Sequence, residues 1–174
     1  MEPEFTERQF RDALGLFPTG VAIVAAKVGE TLLGATISSF NSVSLSPPLV
    51  LFSLSKKSLS AGLWRSAEAF SITILREEES GLSNRFAKAG ADKWRGVEMV
   101  ISDEGVPLLQ AGLASFRCRT RAVHDGGDHD IFVGEVFSFR VSTGEPLLFH
   151  RGKYRLLKSS LDTPPGLDHL LHGW

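Results

Sequence analysis

The stretch ASFRCRTRAVHDGGDHDIFVGEVFSFRV, residues 114–141, decides the fold of this chain. In its first part small or apolar residues alternate with polar ones: Ala114, Phe116, Cys118 and Ala122 against Ser115, Arg117, Arg119 and Arg121. A period of two predicts a strand with one face in solvent. Residues 125–128, Asp-Gly-Gly-Asp, are typical of a turn, and residues 131–141 read as the returning strand. The stretch therefore predicts a long antiparallel hairpin.

Upstream of this hairpin the pattern indicates more strands and two or three helices. Thr6 and Gln9 have the spacing of a capping box, and Phe5 and Phe10 that of a hydrophobic staple, so a helix begins here and ends before Pro18. Ser58 is available as the cap of a second helix. The predicted strands cover residues 21–26, 31–37, 49–52, 70–75 and 147–149, and the further helices 58–65 and 77–88.

Strands follow one another here instead of alternating with helices. This order predicts a mainly β fold with flanking helices, in which an antiparallel sheet closes into a barrel. One domain is expected over residues 1–157. Residues 158–174 differ in character, with serine and proline pairs followed by Leu167, Leu170, Leu171 and Trp174 at helical spacing. They form a C-terminal tail that could hold a short amphipathic helix; a terminus without a catalytic role is the plainer alternative.

Composition excludes several classes of function. The 174 residues carry a net charge of −1 and no long lysine or arginine run, so nucleic acid is not an expected partner. Cys118 is the single cysteine, which rules out an internal disulfide and a cysteine-rich metal site; no metal is expected. No apolar run approaches the ~20 residues of a membrane span, and the acidic N-terminus lacks a signal core, so a cytoplasmic protein is expected.

Nucleotide and hydrolase motifs are also missing from the sequence. It contains no Gly-x-Gly-x-x-Gly, no P-loop, no His-Glu-x-x-His and no Gly-x-Ser-x-Gly. Any phosphate-bearing ligand must therefore be held in another way, by hydroxyls and free backbone amides.

Three clusters could supply that chemistry. Residues 34–42 run from a strand end into a hydroxyl-rich segment, and residues 53–58 close one strand and open a helix whose free amides would attract an anion. In residues 127–135, His129 stands between Asp128 and Asp130. Each cluster also has an ordinary explanation: a polar loop, a solvated lysine pair and an exposed turn histidine.

Taken in order, these segments resemble one family. Phe-Pro-Thr-Gly-Val at 17–21, Gly-Ala-Thr-Ile-Ser-Ser-Phe at 34–40, Ser-Leu-Ser-Pro-Pro-Leu-Val at 44–50 and Gly-Asp-His at 127–129 with Val-Gly-Glu at 133–135 are similar to the flavin reductases among the FMN-binding split barrels. The resemblance covers about residues 10–157. Family members serve as the reductase component of two-component flavin-dependent monooxygenases.

The resemblance implies a homodimer that binds flavin near its subunit interface. It places His129 beside the nicotinamide as the catalytic residue, and Lys56 and Ser58 as the best phosphate contacts. The cofactor-binding residues that it implies are Thr36, Ser38, Ser39, Ser53, Leu54, Ser55, Lys56, Ser58, Phe86, Ala87 and Tyr154. One departure stands out: many members carry Asn where this chain has Ser38, and a hydroxyl has fewer hydrogen-bonding atoms than an amide.

The expected activity is hydride transfer from NADH or NADPH to FMN or FAD, with reduced flavin diffusing to a separate monooxygenase. The choice within each cofactor pair stays open. Three alternatives also stay open: a flavin-bound electron carrier or other split-barrel flavoprotein with little turnover, an enzyme like pyridoxine-phosphate oxidase, and a β-barrel binding module without activity.

Overall fold

The fold is known from a computed structural model that describes residues 4–90 and 92–157. The predicted tail of residues 158–174 lies outside this part of the chain. In the described part, three α-helices flank the strands: α1 (Glu7–Leu14), α2 (Ala61–Arg65) and α3 (Ser80–Ala87). A 3-10 turn at Glu77–Glu79 precedes α3. None of these helices is long and apolar enough to cross a membrane.

Seven strands form the main antiparallel sheet. Their bounds are β2 (Ala22–Val28), β3 (Thr31–Ile37), β4 (Asn41–Leu45), β5 (Pro48–Ser55), β6 (Ala69–Ile74), β9 (Ala114–Gly126) and β10 (His129–Val141). Their order across the sheet is β3-β2-β6-β9-β10-β5-β4. Short strands make two further sheets: β1 (Thr19–Gly20) with β11 (Leu148–His150) and β12 (Lys153–Arg155), and β7 (Met99–Ile101) with β8 (Pro107–Leu109).

The predicted hairpin is confirmed as β9 and β10. Gly127 and Asp128 form its two-residue loop, and Gly127 takes a φ of 77°, a conformation that glycine adopts without strain. Cys118 lies on the apolar face of β9 and is fully buried, which agrees with the alternation in the sequence.

The sheet curls until its two ends meet. The Ser39 hydroxyl, just after β3, donates to the carbonyl of Ser53 on β5 at 3.2 Å and accepts from the Ser53 amide at 3.0 Å. Closure through side chains, without a continuous backbone ladder between β3 and β5, gives the antiparallel split barrel that the sequence predicts.

Aromatic rings fill the barrel. The Phe52 ring stacks on Phe132 with centroids 4.9 Å apart and meets Phe70 edge-on at 5.0 Å, while Trp64 of α2 covers the pair. A second buried cluster lies between the barrel and α3; its members are Val21, Ile23, Leu75, Phe86, Leu109 and Leu147. This second cluster positions α3 beside the end of β3.

Three local predictions differ from the structure. The hydroxyl-rich segment predicted as loop up to residue 42 instead enters strand β4 at Asn41, because β4 pairs with β5 at the sheet edge, a tertiary contact that the serine-rich local sequence does not indicate. Ser58 does not cap α2: the helix begins at Ala61, and Ser60 occupies the cap position without a side-chain hydrogen bond. The predicted helix 77–88 is divided into the 3-10 turn and α3.

Candidate functional site

A cleft of about 420 Å³ opens where the ends of β3, β5 and α3 meet the start of β10. Ten of the residues expected at a flavin site line it: Thr36, Ser38, Ser39, Ser53, Leu54, Ser55, Ser58, Phe86, Ala87 and His129. Its volume is within the range of small-molecule sites, roughly 300–1,000 Å³. The tertiary structure thus brings together three clusters that are far apart in sequence.

Two of the expected residues fix the position of α3. The Thr36 hydroxyl donates to the Ser83 carbonyl at 2.6 Å, and the Tyr154 hydroxyl donates to Ser83 Oγ at 2.8 Å. Ser83 itself is fully buried. Tyr154 does not line the cleft; it holds the helix that presents Phe86 and Ala87 to it.

Gly34 allows the helix to approach β3. A Cβ at this position would collide with the Phe86 ring and come within 3.1 Å of Trp94. Phe86 and Trp94 in turn meet edge to face, with centroids 4.9 Å apart. Only glycine leaves room for this packing, which sets the width of the cleft.

The hydroxyls of the cleft differ in how they are used. Ser39 closes the barrel with Ser53, and Ser55 Oγ accepts from the Lys57 amide at 3.2 Å. Ser38 is exposed and makes no hydrogen bond within the described residues, so its donor and acceptors remain available. Ser38 is the position at which this chain departs from the asparagine of many family members.

The turn after β5 offers fewer free amides than the sequence indicates. The Lys56 amide donates to the Asp128 carbonyl at 2.9 Å and the Ser58 amide to the Ser55 carbonyl at 3.0 Å. Because α2 begins only at Ala61, these amides belong to a tight turn and not to a helix N-terminus. Anion binding by a helix N-terminus is therefore not available here.

Lys56 faces the hairpin instead of the cleft. Its ammonium donates to the Asp125 carboxylate and, at 2.7 Å, to the Gly127 carbonyl. The hydrogen bond from Lys56 holds the pKa of Asp125 below its usual range. Lys56 does not line the cleft and its charge is already paired with Asp125, so it is poorly placed for a flavin phosphate; its contacts fix the turn that carries His129.

His129 begins β10 directly opposite Ser55 of β5. Its Nδ1 lies 2.7 Å from the Asp128 carboxylate, and this hydrogen bond lowers the pKa of Asp128. With Nδ1 engaged, Nε2 remains for a ligand in the cleft. On the other side, Asp130 is buried and accepts from Arg65 Nε at 2.7 Å, which anchors the strand to α2.

One charged residue of the site is missed by the sequence analysis. Lys93 lines the cleft and also a second, adjoining groove of about 570 Å³, which shares Ser58 and Ala89 with the first. Lys93 lies in an irregular segment after α3, where neither periodicity nor a motif marks it. Only the tertiary structure brings its side chain under Gly34.

Comparison with known proteins identifies the family. The family model described as "Flavin reductase like domain" matches residues 14–158. "FMN reductase (NADH) SmoA" of Agrobacterium fabrum is 44% identical over 147 residues, 84% of each chain. The "Flavin-dependent monooxygenase, reductase subunit HsaB" of Mycobacterium tuberculosis is 35% identical over 170 residues, 94% of this chain and 89% of that one.

A solved structure agrees with this assignment. The Streptomyces globisporus NADH:FAD oxidoreductase SgcE6, in complex with NAD and FAD fragments, superimposes with a TM-score of 0.84 at 33% identity, over 90% of this chain and 96% of that chain. The split-barrel fold and the resemblance found in the sequence are both confirmed. On the match across residues 14–158, this chain belongs to the flavin reductase family.

Proposed function

We propose that this protein is a reductase that transfers a hydride from NADH to FMN or FAD and releases the reduced flavin to a separate monooxygenase. The observation that carries the proposal is the cleft beside His129, where most of the residues expected at a flavin site converge. The names of two relatives support each part: SmoA is an NADH-dependent FMN reductase and HsaB a monooxygenase reductase subunit.

The lining of the cleft fits a flavin nucleotide. Leu54, Ala87 and Ala89 offer apolar surface for a ring system, and the Ser38 hydroxyl offers hydrogen bonds. Hydride acceptance is chemistry that the bound flavin supplies, whereas the protein binds and orients both reactants. The mixed lining therefore suits a ligand that has a flat apolar part and a polar, phosphorylated part.

His129 suits the donor side of the reaction. Its side chain is 43% exposed at the mouth of the cleft, and Asp128 holds its Nδ1. Nε2 can then hydrogen-bond the carboxamide of a nicotinamide and orient the ring toward the flavin position. Orientation of two reactants at near-attack distance is a large part of what such an enzyme contributes.

A homodimer is also part of the proposal. Helix α1 has no buried residue, although it carries Phe10 and Leu14, and Phe17, three residues after the helix, is 75% exposed. Phe139 and Val141, at the end of β10, are 65% and 71% exposed. An isolated chain gains nothing from exposing so much apolar surface, and a second copy of the chain would bury it. Light scattering after gel filtration measures the mass directly: a dimer is expected, and a monomer would contradict this part.

The test of function is NADH oxidation in air by the purified protein, followed at the NADH absorbance band. FMN and FAD are each added in excess, and the series is repeated with NADPH. Catalytic loss of NADH that depends on added flavin is the expected result. If no combination of flavin and nicotinamide cofactor gives catalytic oxidation, the reductase assignment fails. A yellow, inactive protein would then indicate a flavin carrier. A colourless protein that binds no flavin would indicate a binding module.

A further inference from the structure

Lys93 makes two hydrogen bonds to backbone carbonyls inside the site. Its Nζ donates to the Phe86 carbonyl at 3.0 Å and to the Gly34 carbonyl at 3.1 Å. These contacts join the last turn of α3 to β3 and hold the ammonium between the cleft and the adjoining groove. An ammonium has three N–H donors, so one remains for a ligand.

The charge of Lys93 has no counter-ion within residues 4–90 and 92–157. The neighbouring carboxylate, Asp92, is turned away and accepts from Arg95 Nε at 3.0 Å. Burial lowers the pKa of the Lys93 ammonium, and no carboxylate acts against this shift. A partly desolvated cation without an anion is unfavourable by itself, and an anionic ligand would offset that cost.

The other lysines near the cleft are not equivalent. Lys56 is engaged with Asp125 and Gly127 on the hairpin. Lys57 lines only the adjoining groove and is exposed. Lys88 lines the cleft but is exposed and does not line the adjoining groove. Lys93 alone among these four lysines lines both cavities, next to Ser58 and Ala89, which the two cavities share.

We propose that Lys93 binds the phosphate of the flavin, as the charged contact that the sequence had placed at Lys56. This inference rests on the proposed function, and it names the ligand group, a phosphate monoester in FMN or the flavin-proximal phosphate of FAD. The phosphate lies at the junction of the two cavities, so that the larger end of a dinucleotide extends into the adjoining groove.

The test compares ligands with and without the phosphate. Dissociation constants of FMN, FAD and riboflavin are measured by quenching of flavin fluorescence for the wild-type protein and for Lys93→Gln. Glutamine keeps amide donors for the two carbonyls but removes the charge. Lys27→Gln is the matched control, because Lys27 lies on β2 in a different cleft and pairs with Glu30. Lys93→Arg tests whether a positive charge restores binding.

Loss of a charge-assisted hydrogen bond predicts that Lys93→Gln weakens FMN and FAD binding about ten- to hundredfold. Riboflavin binding should change little, and Lys93→Arg should recover part of the preference for FMN. A parallel weakening of FMN and riboflavin would overturn the proposal, because it would show that Lys93 only supports α3 and β3. Equal binding of FMN and riboflavin by the wild-type protein would also overturn it.

These results are separable from the proposed function. A wild-type protein that reduces riboflavin and FMN equally well with NADH remains a reductase, while Lys93 loses its assigned role. A wild-type protein that binds none of the three flavins contradicts both the function and the inference.

Discussion

His129 and Ser55 are Cα partners in the antiparallel pairing of β10 with β5. This single register position places the histidine of the hairpin against the serine-rich end of another strand, and both residues line one cleft. A slip of one residue in β10 would turn the His129 side chain to the opposite face of the sheet. The pairing of these strands therefore decides whether the histidine reaches the ligand.

Replacement of His129 by alanine should slow hydride transfer more than it weakens flavin binding. In the proposed role of His129 the lost hydrogen bond would orient the nicotinamide, so we expect kcat/KM for NADH to fall roughly tenfold or more while the FMN dissociation constant changes less than about threefold. Stopped-flow kinetics and flavin titration measure the two. His124→Ala, on the exposed side of the same hairpin, is the control, and normal turnover of the His129 variant would contradict the role.

Lys56→Met tests whether the contacts of Lys56 with Asp125 and Gly127 hold the hairpin turn in place. Loss of the bonds to Asp125 and Gly127 should raise the KM for NADH several-fold and leave FMN affinity nearly unchanged. Because the pKa of Asp125 is lowered in the folded protein, this ion pair persists above the usual carboxyl pKa and is lost as pH falls through the lowered value. At neutral pH the ion pair between Lys56 and Asp125 is therefore formed in the wild-type protein, and steady-state kinetics compare its presence with its absence. A selective loss of FMN affinity would instead make Lys56 the phosphate contact.

Gly34→Ala should disturb the packing under the cleft. The new methyl group would collide with Phe86, and overpacking of this kind costs about 1–3 kcal/mol of unfolding free energy. Calorimetry should show a melting temperature lower by several degrees, with weaker flavin binding. Gly81→Ala is the matched control in α3, since nothing lies within 4 Å of its new methyl group. An unchanged melting temperature for Gly34→Ala would contradict the assigned contact.

Tyr154→Phe should loosen α3 without touching the cleft. It removes the hydrogen bonds that the phenol makes with Ser83 Oγ at 2.8 Å and with Asn84 Oδ1 at 3.0 Å. The buried Ser83 hydroxyl then loses a partner, at a cost of about 1–3 kcal/mol. We expect lower stability in urea and a modest loss of FMN affinity, with riboflavin affected to the same extent. If FMN binding alone were reduced, Tyr154 would contact the phosphate directly.

Cys118 should be unreactive in the folded protein. Burial raises the pKa of its thiol to about 12, so the thiol stays protonated at pH 8. A coloured disulfide reagent should therefore label Cys118 only when denaturant unfolds the chain, and the labelling curve should follow the loss of circular dichroism. Rapid labelling of the native protein would contradict the buried position.

Much of the fold follows from local patterns. The alternation from Ala114 onward, with the Asp-Gly-Gly-Asp turn, predicts the β9–β10 hairpin, and Thr6 with Gln9 forms the capping box of α1 that the sequence indicates. Strand β4 is missed because only its pairing with β5 stabilises it. The early start assigned to α2 is wrong because the Ser55–Ser58 turn uses the same hydroxyls and amides that suggest a cap.

The sequence likewise predicts part of the candidate site, and the tertiary structure decides the rest. Sequence resemblance indicates Thr36, Ser38, Ser39 and His129, since they stand in motifs of fixed spacing. Such motifs do not say which hydroxyls are already used: Thr36 holds α3, Ser39 closes the barrel, and Ser38 remains free among the described residues. Hydrogen-bond partners of this kind lie 14 or more positions away in the chain, so local sequence does not reveal them.

By itself, the sequence determined the strand periodicity, the hairpin turn, the buried face of Cys118 and the family. These features depend on residues close together in the sequence and on the exclusion of apolar side chains from water, so the order of residues is enough to predict them. Only the tertiary structure decided which of Lys56 and Lys93 lines the cleft. Lys56 is drawn to Asp125 and Gly127, whereas Lys93 is held by the carbonyls of Gly34 and Phe86, because closure of the barrel and docking of α3 bring together groups distant in sequence.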